Sequence, residues 1–585
     1  MKHQIEQLVA SALAALPPDV LPEGLSARPE VERTRDATHG DFACNVAMQL
    51  ARAAKRNPRQ IAQAVVAALP PSGFVTKVEI AGPGFINFFL SPAAYAAEIA
   101  RVHAEGADYG RGRLDKPARA LVEFVSANPT GPLHVGHGRQ AAVGMTLASL
   151  LAYAGYDVAR EYYINDAGRQ MDILAVSTWL RYLEACGEHL PFPANGYRGD
   201  YVKDVAARLF AAEGEALRHP ATAVLAALPP DEPEGGDKDA YVDALGSRAR
   251  HLLGGDGYRR VFDFALDIML ADIRDDLTQF GVTFDRWFSE RALETGGAID
   301  RALARLERQG QLYVKDGATW FRATAFGDEK DRVVVRENGQ KTYFASDIAY
   351  HLEKRERGFD LLVDVLGADH HGYVARVRAG LEAMGEPGDC LEAPLIQFVS
   401  LFRGGEKVPM GKREAQFVTL RQLREEVGND ACRLFYLMRS HDQPLDFDLE
   451  LAKSRSSENP VYYIQYAHAR VASVLRQLAD RGLPLDLEAG CTAVATLDDP
   501  HERALMAAVT KWPEVVALAA AQRAPHMLVH YLRDLANAFH TYYNALSFIV
   551  DDAALRNARL ALVTAAQRVL KNGLGLLGVT APETM

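Results

Sequence analysis

Cysteine is scarce in this sequence: the chain of 585 residues has five, and none of them forms a C-x-x-C pair. Scattered cysteines of this kind exclude a disulfide framework and a cysteine-based zinc site, and they favour a reducing compartment. The chain also lacks an uninterrupted apolar run near the roughly 20 residues that span a bilayer, and its start lacks the features of a secretion signal. We therefore expect a cytoplasmic protein without structural zinc.

Net positive charge is absent as well. Lys and Arg total 65 against 76 Asp and Glu, which gives a net charge of −11. This balance does not indicate a general nucleic-acid binder, although a local basic surface is enough to bind RNA. Hydrophobic residues make up 48% of the chain and charged residues 24%. These values are typical of soluble globular proteins, and the length predicts about three or four domains.

The chain divides into segments of different secondary-structure pattern. The first segment mixes helical patterns with the strand-like stretch VTKVEIAGPGFINFFL. From Ala118, a strand pattern, a helical pattern and a second strand pattern form a βαβ unit, which predicts a doubly wound parallel sheet. After Leu451, apolar residues recur at spacings of three and four, as in helices. The predicted domains are residues 1–112 (α+β), 113–400 (Rossmann-like α/β), 401–450 (connection) and 451–585 (all-α).

An insertion interrupts the predicted α/β domain at about residues 186–260. Its middle part, LPPDEPEGGDKDA (Leu228 to Ala240), is rich in proline, glycine and acidic residues. This composition is typical of segments that bury little apolar surface. It predicts a mobile segment within the insertion.

Two histidines three residues apart follow the first predicted strand of the α/β domain, in SANPTGPLHVGHGRQ (residues 126–140). His134 and His137 would share one face at the start of the next helix, and Gly136 leaves room for a flat group against the backbone. In a doubly wound sheet, ligands bind beyond the carboxyl ends of the strands, where helix N-termini point. The alternative is a capped turn with two surface histidines, but the strand, the glycine and the helix together favour a ligand site.

HVGH resembles the HIGH signature of class I aminoacyl-tRNA synthetases and related nucleotidyl transferases. In those families both imidazoles contact the triphosphate of ATP, and the glycine lies under the adenine side. The resemblance therefore implies that His134, Gly136 and His137 bind ATP and that the two histidines are catalytic.

The second class I signature, KMSKS, resembles MGKR within FRGGEKVPMGKREAQFVTL. Met410 and Lys412 match that signature, and the resemblance implies that both bind ATP and that Lys412 is catalytic. Pro409 stands where the first signature lysine would be, and Lys407 is a candidate to replace its charge.

Several longer stretches are similar to arginyl-tRNA synthetases in particular, and together they span nearly the whole chain. They are VEFVSANPTGPLHVGH, YINDAGRQ, FDRWFSE, TYFASDIAYHLEK, GADHHGY, NDACRLFYLMRS and GDFACNVAMQLA. The resemblance implies an enzyme that activates L-arginine with ATP, releases pyrophosphate and transfers arginine to the 2′-hydroxyl of the terminal adenosine of its tRNA. It also implies Mg²⁺ bound with the nucleotide, a first step that needs bound tRNA, and a monomer that binds no DNA.

A guanidinium group requires planar, charged acceptors, because its five donors form a rigid fork that carboxylates match. Glu123, Tyr343 and Asp347 provide such acceptors, and Tyr343 and Asp347 at i and i+4 would share a helix face. By resemblance these three bind the guanidinium. The resemblance also implies that Asn128 and His371 hold the α-amino end and that His134 contacts the amino acid.

The resemblance further implies that tRNA contacts both ends of the chain. The N-terminal domain would bind the D-loop through Phe85, which can stack on an unpaired base, and through Asn87, which can hydrogen-bond it. The C-terminal domain would bind the anticodon through Tyr463 and Tyr466. The alternatives are that Phe85 lies in the core with Asn87 in a turn, and that the two tyrosines are core residues of their helix.

Three other classes of protein are alternatives to an arginyl-tRNA synthetase. A different class I synthetase would lack the set of Glu123, Tyr343 and Asp347. A small HxGH nucleotidyl transferase has no use for a long helical C-terminal domain. A non-catalytic tRNA-binding paralogue would be expected to lose one of His134, His137 or Lys412, and the chain keeps all three.

Overall fold

A computed structural model describes residues 1–18, 20–22, 25, 27–34, 36–370, 372–409 and 418–585. Its helices and strands are numbered below in chain order.

The N-terminal part of the chain packs helices against one face of an antiparallel sheet. Its elements are α1 (Lys2–Ala14), β1 (Val31–Arg33), β2 (Phe42–Cys44), α2 (Val46–Ala54), α3 (Pro58–Ala67), β3 (Val75–Ala81), β4 (Phe85–Leu90) and α4 (Pro92–Glu105). The strand order is β1-β2-β4-β3. Because side chains alternate along a strand, Ile86 and Phe88 enter the core while Phe85 and Asn87 lie on the other face.

A parallel sheet forms the centre of the next part. The elements in this part are β5 (Arg119–Phe124), α5 (Val135–Tyr153), β6 (Asp157–Ile164), α6 (Arg169–Ala185), α7 (Asp200–Glu213), α8 (Ala221–Val224), α9 (Lys238–Gln279), β7 (Arg286–Ser289), α10 (Arg291–Thr295), α11 (Ala298–Arg308), β8 (Leu312–Lys315), β9 (Ala318–Phe321), β10 (Arg332–Val335), α12 (Tyr343–Glu356), β11 (Leu361–Gly367), α13 (Tyr373–Ala383), β12 (Leu391–Glu392) and β13 (Leu395–Ile396). The sheet has the order β12-β11-β5-β6-β7, with β13 also paired to β11. All these pairs are parallel, which confirms the predicted doubly wound sheet.

The insertion is folded, which corrects the prediction of a mobile segment at residues 228–240. Asp231 is buried, and its carboxylate accepts hydrogen bonds at 2.8 Å from the backbone N–H groups of Ala194 and Glu232. The long helix α9 begins within this stretch, with Asp237 as its N-cap. Composition alone misses such capping, because one buried carboxylate can order several backbone groups.

The last part of the chain is helical after a short sheet. Its elements are β14 (Val399–Arg403), β15 (Glu406–Lys407), α14 (Leu420–Val427), α15 (Asn429–Leu437), β16 (Leu445–Asp448), α16 (Leu449–Lys453), α17 (Pro460–Asp480), α18 (Leu487–Ala493), α19 (Pro500–Thr510), α20 (Trp512–Ala521), α21 (His526–Ala545) and α22 (Ala553–Leu577). The three strands pair in the order β15-β14-β16. The described residues after Asp448 contain no strand, which confirms the all-α prediction for this part.

Arg433 on α15 joins the α/β part to the helical part. Its guanidinium donates to the carbonyl oxygens of Phe280 (2.5 Å) and Leu577 (3.0 Å), at the C-terminal ends of α9 and α22. Helix ends leave such carbonyls without intrahelical partners, and a cation there is stabilising. Burial lowers the pKa of Arg433 to about 10, so the group stays charged at neutral pH.

Among the described residues, one stretch is long and apolar enough to cross a membrane when judged by length and composition. It covers Pro500–Ala521, has a mean hydropathy of 1.3, and is half buried within the structure. Charged residues interrupt it, and it comprises two successive helices, α19 and α20.

Candidate active site

The carboxyl ends of β5, β6, β7 and β11 meet at one edge of the parallel sheet. Immediately after β5, Val125 and Ser126 both have positive φ angles, of 67° and 40°. A β-branched residue in this region is strained, at a cost of roughly 1–3 kcal/mol. The turn lets Ser126 Oγ donate to Glu123 Oε1 at 3.0 Å and accept from the N–H of Tyr163 at 3.1 Å. This strained turn fixes the Glu123 carboxylate at the sheet edge.

His134 and His137 form the N-terminal cap of α5. The Nδ1 atom of His134 accepts from the Gly136 N–H at 3.1 Å, and the Nδ1 atom of His137 accepts from the His134 N–H at 3.3 Å. Their rings stack with centroids 3.7 Å apart. Since Nδ1 is an acceptor in both rings, each neutral imidazole carries its hydrogen on Nε2 and can donate it to an anion. The capped turn therefore coexists with a pair of donors at a helix N-terminus, where anions are favoured.

Gly136 is required by the His134 ring itself. A Cβ atom at this position would lie 2.9 Å from Cε1 of His134, which is too close. The glycine thus permits the imidazole to fold back over the first turn of α5.

The segment that directly follows the second signature lies next to the first signature in space. Residues 410–417, which include Met410 and Lys412, lie outside the described residues. The segment that follows them is paired with the start of α5: the Leu420 N–H donates to the Leu133 carbonyl at 2.8 Å, and the Val135 N–H donates to the Val418 carbonyl at 3.3 Å. Residues 418–420 therefore lie beside the first turn of α5, where Thr419 forms an isolated bridge with His134.

A group of carboxylates surrounds the Tyr163 hydroxyl at the sheet edge. Glu290, Asp347, Glu123 and Asp166 all raise its pKa, after burial, which has the largest effect. The partly buried Tyr373 lies near Asp347 and Glu123, and both carboxylates help to raise the pKa of its hydroxyl after burial, which has the largest effect. Burial raises the pKa of Asp347 to about 6, while His351 and Tyr373 oppose this shift. A pocket with this excess of negative charge suits a cationic ligand.

Glu290 belongs to this pocket, although it is not among the site residues predicted from the sequence. Burial and the nearby carboxylates of Asp166 and Asp347 raise its pKa to about 7. Strongly raised carboxyl pKa values cluster at functional sites. Glu290 is the last residue of the stretch FDRWFSE and directly follows β7. This position could have identified it from the sequence, because the carboxyl ends of parallel strands meet at one edge of the sheet.

Tyr343 begins α12, with Thr342 as the N-cap, so Tyr343 and Asp347 lie one turn apart on this helix. The Tyr343 side chain is 70% exposed, and its hydroxyl lies 3.5 Å from the position of a Cβ atom at Gly168. Asn128 donates through Nδ2 to Gln170 Oε1 at 2.7 Å. The predicted site residue His371 lies outside the described residues.

Family models match three parts of the chain. Residues 3–90 match the arginyl tRNA synthetase N-terminal domain, residues 99–190 match the class I (R) tRNA synthetase catalytic domain, and residues 464–585 match the DALR anticodon binding domain. An arginine–tRNA ligase of Thioalkalivibrio sulfidiphilus is 57% identical over the full length of both chains, and one of Halorhodospira halophila is 55% identical.

The chain belongs to the arginyl-tRNA synthetase family. Solved structures agree with this membership. The arginyl-tRNA synthetase of Thermus thermophilus covers all of the chain with a TM-score of 0.74 and 25% identity. A putative arginyl-tRNA synthetase of Campylobacter jejuni covers 85% of the chain, with all of its own length matched, a TM-score of 0.71 and 32% identity.

The predicted D-loop residues of this arginyl-tRNA synthetase share the outer face of β4. Phe85 is 39% exposed, whereas Asn87 is 4% exposed beneath its neighbours on β2 and β3. An RNA base can reach Phe85 directly. It can reach Asn87 only after neighbouring side chains move.

The predicted anticodon residues of this arginyl-tRNA synthetase lie on α17 beside α21, and both are half-buried. Tyr463 donates to Asn537 at 3.1 Å and packs partly on the domain core. The Tyr466 ring carries the Arg470 guanidinium 4.4 Å from its centroid, and His540 contacts both tyrosine rings. Aromatic rings combined with arginine are typical of platforms for unpaired bases.

Proposed function

We propose that this enzyme is an ATP-dependent arginine–tRNA ligase whose amino-acid pocket is the carboxylate cluster beside the N-terminus of α5. One observation carries this proposal: Glu123, Asp347 and Glu290 are all close enough to Tyr163 to raise the pKa of its hydroxyl, at the sheet edge that also holds the two histidines. A guanidinium is the side chain that planar carboxylates bind best. Family membership supports the same substrate.

In the first step, an oxygen of the arginine carboxylate attacks the α-phosphorus of ATP. The bond from that phosphorus to the bridging oxygen breaks, and pyrophosphate leaves with the electron pair. The carboxylate is already ionised, so no general base is needed, and catalysis consists of positioning and charge stabilisation. His134 and His137 donate from Nε2 to phosphate oxygens. Lys412 neutralises the charge on the leaving pyrophosphate, with Met410 and Gly136 at the nucleotide.

In the amino-acid pocket, Glu123, Tyr343 and Asp347 accept from the guanidinium. Asn128 and His371 hold the α-amino end, and His134 adjoins the carboxylate that reacts. Glu290 adds a further carboxylate to this set of acceptors.

The second step transfers arginine from the adenylate to the 2′-hydroxyl of the terminal adenosine of tRNA and releases AMP. Phe85 and Asn87 bind the D-loop, and Tyr463 and Tyr466 bind the anticodon. Mg²⁺ would accompany ATP, held mainly by the nucleotide and water, and would stabilise negative charge on the phosphates. In the described part of the chain, no group of three His, Cys, Asp or Glu residues is arranged to hold a metal ion. We further propose a cytoplasmic monomer.

Charging of total tRNA with each of the twenty amino acids tests this function. We expect attachment of arginine alone, dependent on ATP. Charging with another amino acid, or no charging of an active preparation, would contradict the proposal. Sedimentation velocity gives the oligomeric state in the same preparation.

A further inference from the structure

A buried network of charged groups lies behind the amino-acid pocket. Lys354 on α12 is fully buried, and its Nζ donates to Glu123 Oε2 at 2.6 Å and to Asp364 Oδ1 at 2.9 Å. Asp364 also contacts Nε2 of His351 at 2.6 Å. The network thus joins β5, α12 and β11, and one of its members, Glu123, is a proposed substrate contact.

The His351 ring lies between two oxygen acceptors, the Asp347 backbone carbonyl and the Asp364 carboxylate. Its Nδ1 lies 2.7 Å from the backbone carbonyl oxygen of Asp347, which can only accept, so Nδ1 carries a hydrogen. Burial alone would raise the pKa of Asp364, but Lys354 and His351 outweigh burial and hold it well below its usual range. The Asp364 carboxylate therefore accepts from Lys354 Nζ and lies 2.6 Å from Nε2 of His351.

Within this network, Lys354 is the cation that Glu123 and Asp364 share. Burial alone would lower the pKa of Lys354, but Asp364 and Glu123 raise it above its usual range. Other groups face the ammonium. The Tyr350 ring lies with its centroid 4.3 Å from Nζ, and Glu161 is near but has its own cation, Arg357, at 2.6 Å.

We propose that Lys354 is a positioning residue for arginine recognition, which balances the charge of Glu123 and holds its carboxylate in place. Glu123 then acts as an oriented acceptor whose charge is already countered. The guanidinium charge of the substrate is countered by Asp347 and Glu290, whose pKa values are both raised by burial and by neighbouring carboxylates. This inference rests on the proposed function, since it takes arginine as the ligand.

Loss of the Lys354 ammonium should change both the affinity for arginine and the number of protons released on binding. Without Lys354, the two buried carboxylates of the network cannot both stay ionised in the empty site, because burial raises a carboxyl pKa. One of them takes up a proton, and a guanidinium that binds there must displace it. Arginine binding by Lys354→Met should therefore release about one more proton than binding by the wild-type enzyme, and it should be at least about tenfold weaker at pH 7.5.

Isothermal titration calorimetry of the full chain with arginine, in two buffers of different ionisation enthalpy, measures both quantities. Lys354→Arg keeps the charge and should restore the wild-type proton count. The matched control is Arg357→Met, three residues after Lys354, which removes the cation that pairs with the buried Glu161. It should lower thermal stability but leave arginine affinity and proton release within about twofold of wild type.

A second readout separates this inference from the proposed function. In tRNA charging, Lys354→Met should raise the KM for arginine at least about tenfold and leave the KM for ATP within about threefold. Wild-type affinity and proton release in Lys354→Met would overturn the positioning role. Failure of the wild-type enzyme to charge tRNA with arginine would instead overturn the proposed function. If Lys354→Met does not fold, Lys354→Gln tests the same loss of charge, because glutamine is neutral but keeps a hydrogen-bond donor.

Discussion

Asp347→Asn is the substitution that tests the amino-acid pocket most directly. Asp347 is half-buried one turn into α12, next to Tyr373 and across from Glu123. Burial raises its pKa to about 6, so at pH 7.5 the carboxylate is ionised in the empty site. Asparagine has nearly the same shape and still offers one carbonyl oxygen to a guanidinium. It removes the negative charge and little else.

The expected cost follows from the surroundings. A buried cation that loses one anionic partner is destabilised by about 3–5 kcal/mol. Glu290 keeps part of the negative charge, and the asparagine oxygen keeps one hydrogen bond, which places the expected loss near the lower end of that range. Because each 1.4 kcal/mol is about a factor of ten in affinity, the KM for arginine should rise roughly a hundredfold. Lysine should remain a poor substrate, since an ammonium does not bridge two planar acceptors.

Steady-state charging assays with varied arginine and varied ATP provide the measurement. The KM for ATP should stay nearly constant, because Asp347 does not lie at the proposed phosphate donors. A thermal melt checks that the variant is folded. If arginine kinetics stayed within twofold of wild type, the guanidinium would bind elsewhere, and the reasoning from the carboxylate cluster would be refuted.

Four further predictions follow from the same geometry. His137→Ala, and equally Lys412→Ala, should raise the activation barrier by roughly 2–4 kcal/mol with arginine affinity nearly unchanged in equilibrium binding; wild-type turnover would remove these assignments. Because the pKa values of Asp347 and Glu290 are raised to about 6 and about 7, the empty site gains protons as pH falls, so the KM for arginine should rise below pH 7 and be flat above pH 8; a flat profile from pH 5.5 to 8 would contradict this. Deletion of residues 1–90, which spares α4 where it packs on α18 and α22, should raise the KM for tRNA and leave a folded core; an unchanged KM would exclude the D-loop contact. Arg433→Met leaves helix-end carbonyls of α9 and α22 without a donor and should lower the melting temperature by several degrees, which calorimetry measures; an unchanged melting temperature would show that the joint is dispensable.

Local sequence determined the order of elements and the chemistry of the first signature. An apolar strand, a turn and a helix that begins at HVGH follow from patterns within about 20 residues, since strand and helix periodicities are local properties. The parallel sheet also follows, because βαβ units leave few other arrangements. Glu123 and Asp347 could be named from the sequence because their stretches resemble arginyl-tRNA synthetases and because a guanidinium requires carboxylate acceptors.

Tertiary structure decided everything that depends on contacts distant in sequence. Glu290 joins the pocket only because β7 lies next to β6, and Lys354 reaches Glu123 across 231 positions of the chain. Composition predicted a mobile insertion, yet a single buried carboxylate, Asp231, orders it. Asn87 shares a face with Phe85 as its strand position requires, but neighbouring strands cover it. Periodicity indicates which way a side chain points, whereas its pKa, burial and charge partners depend on which other elements pack against it.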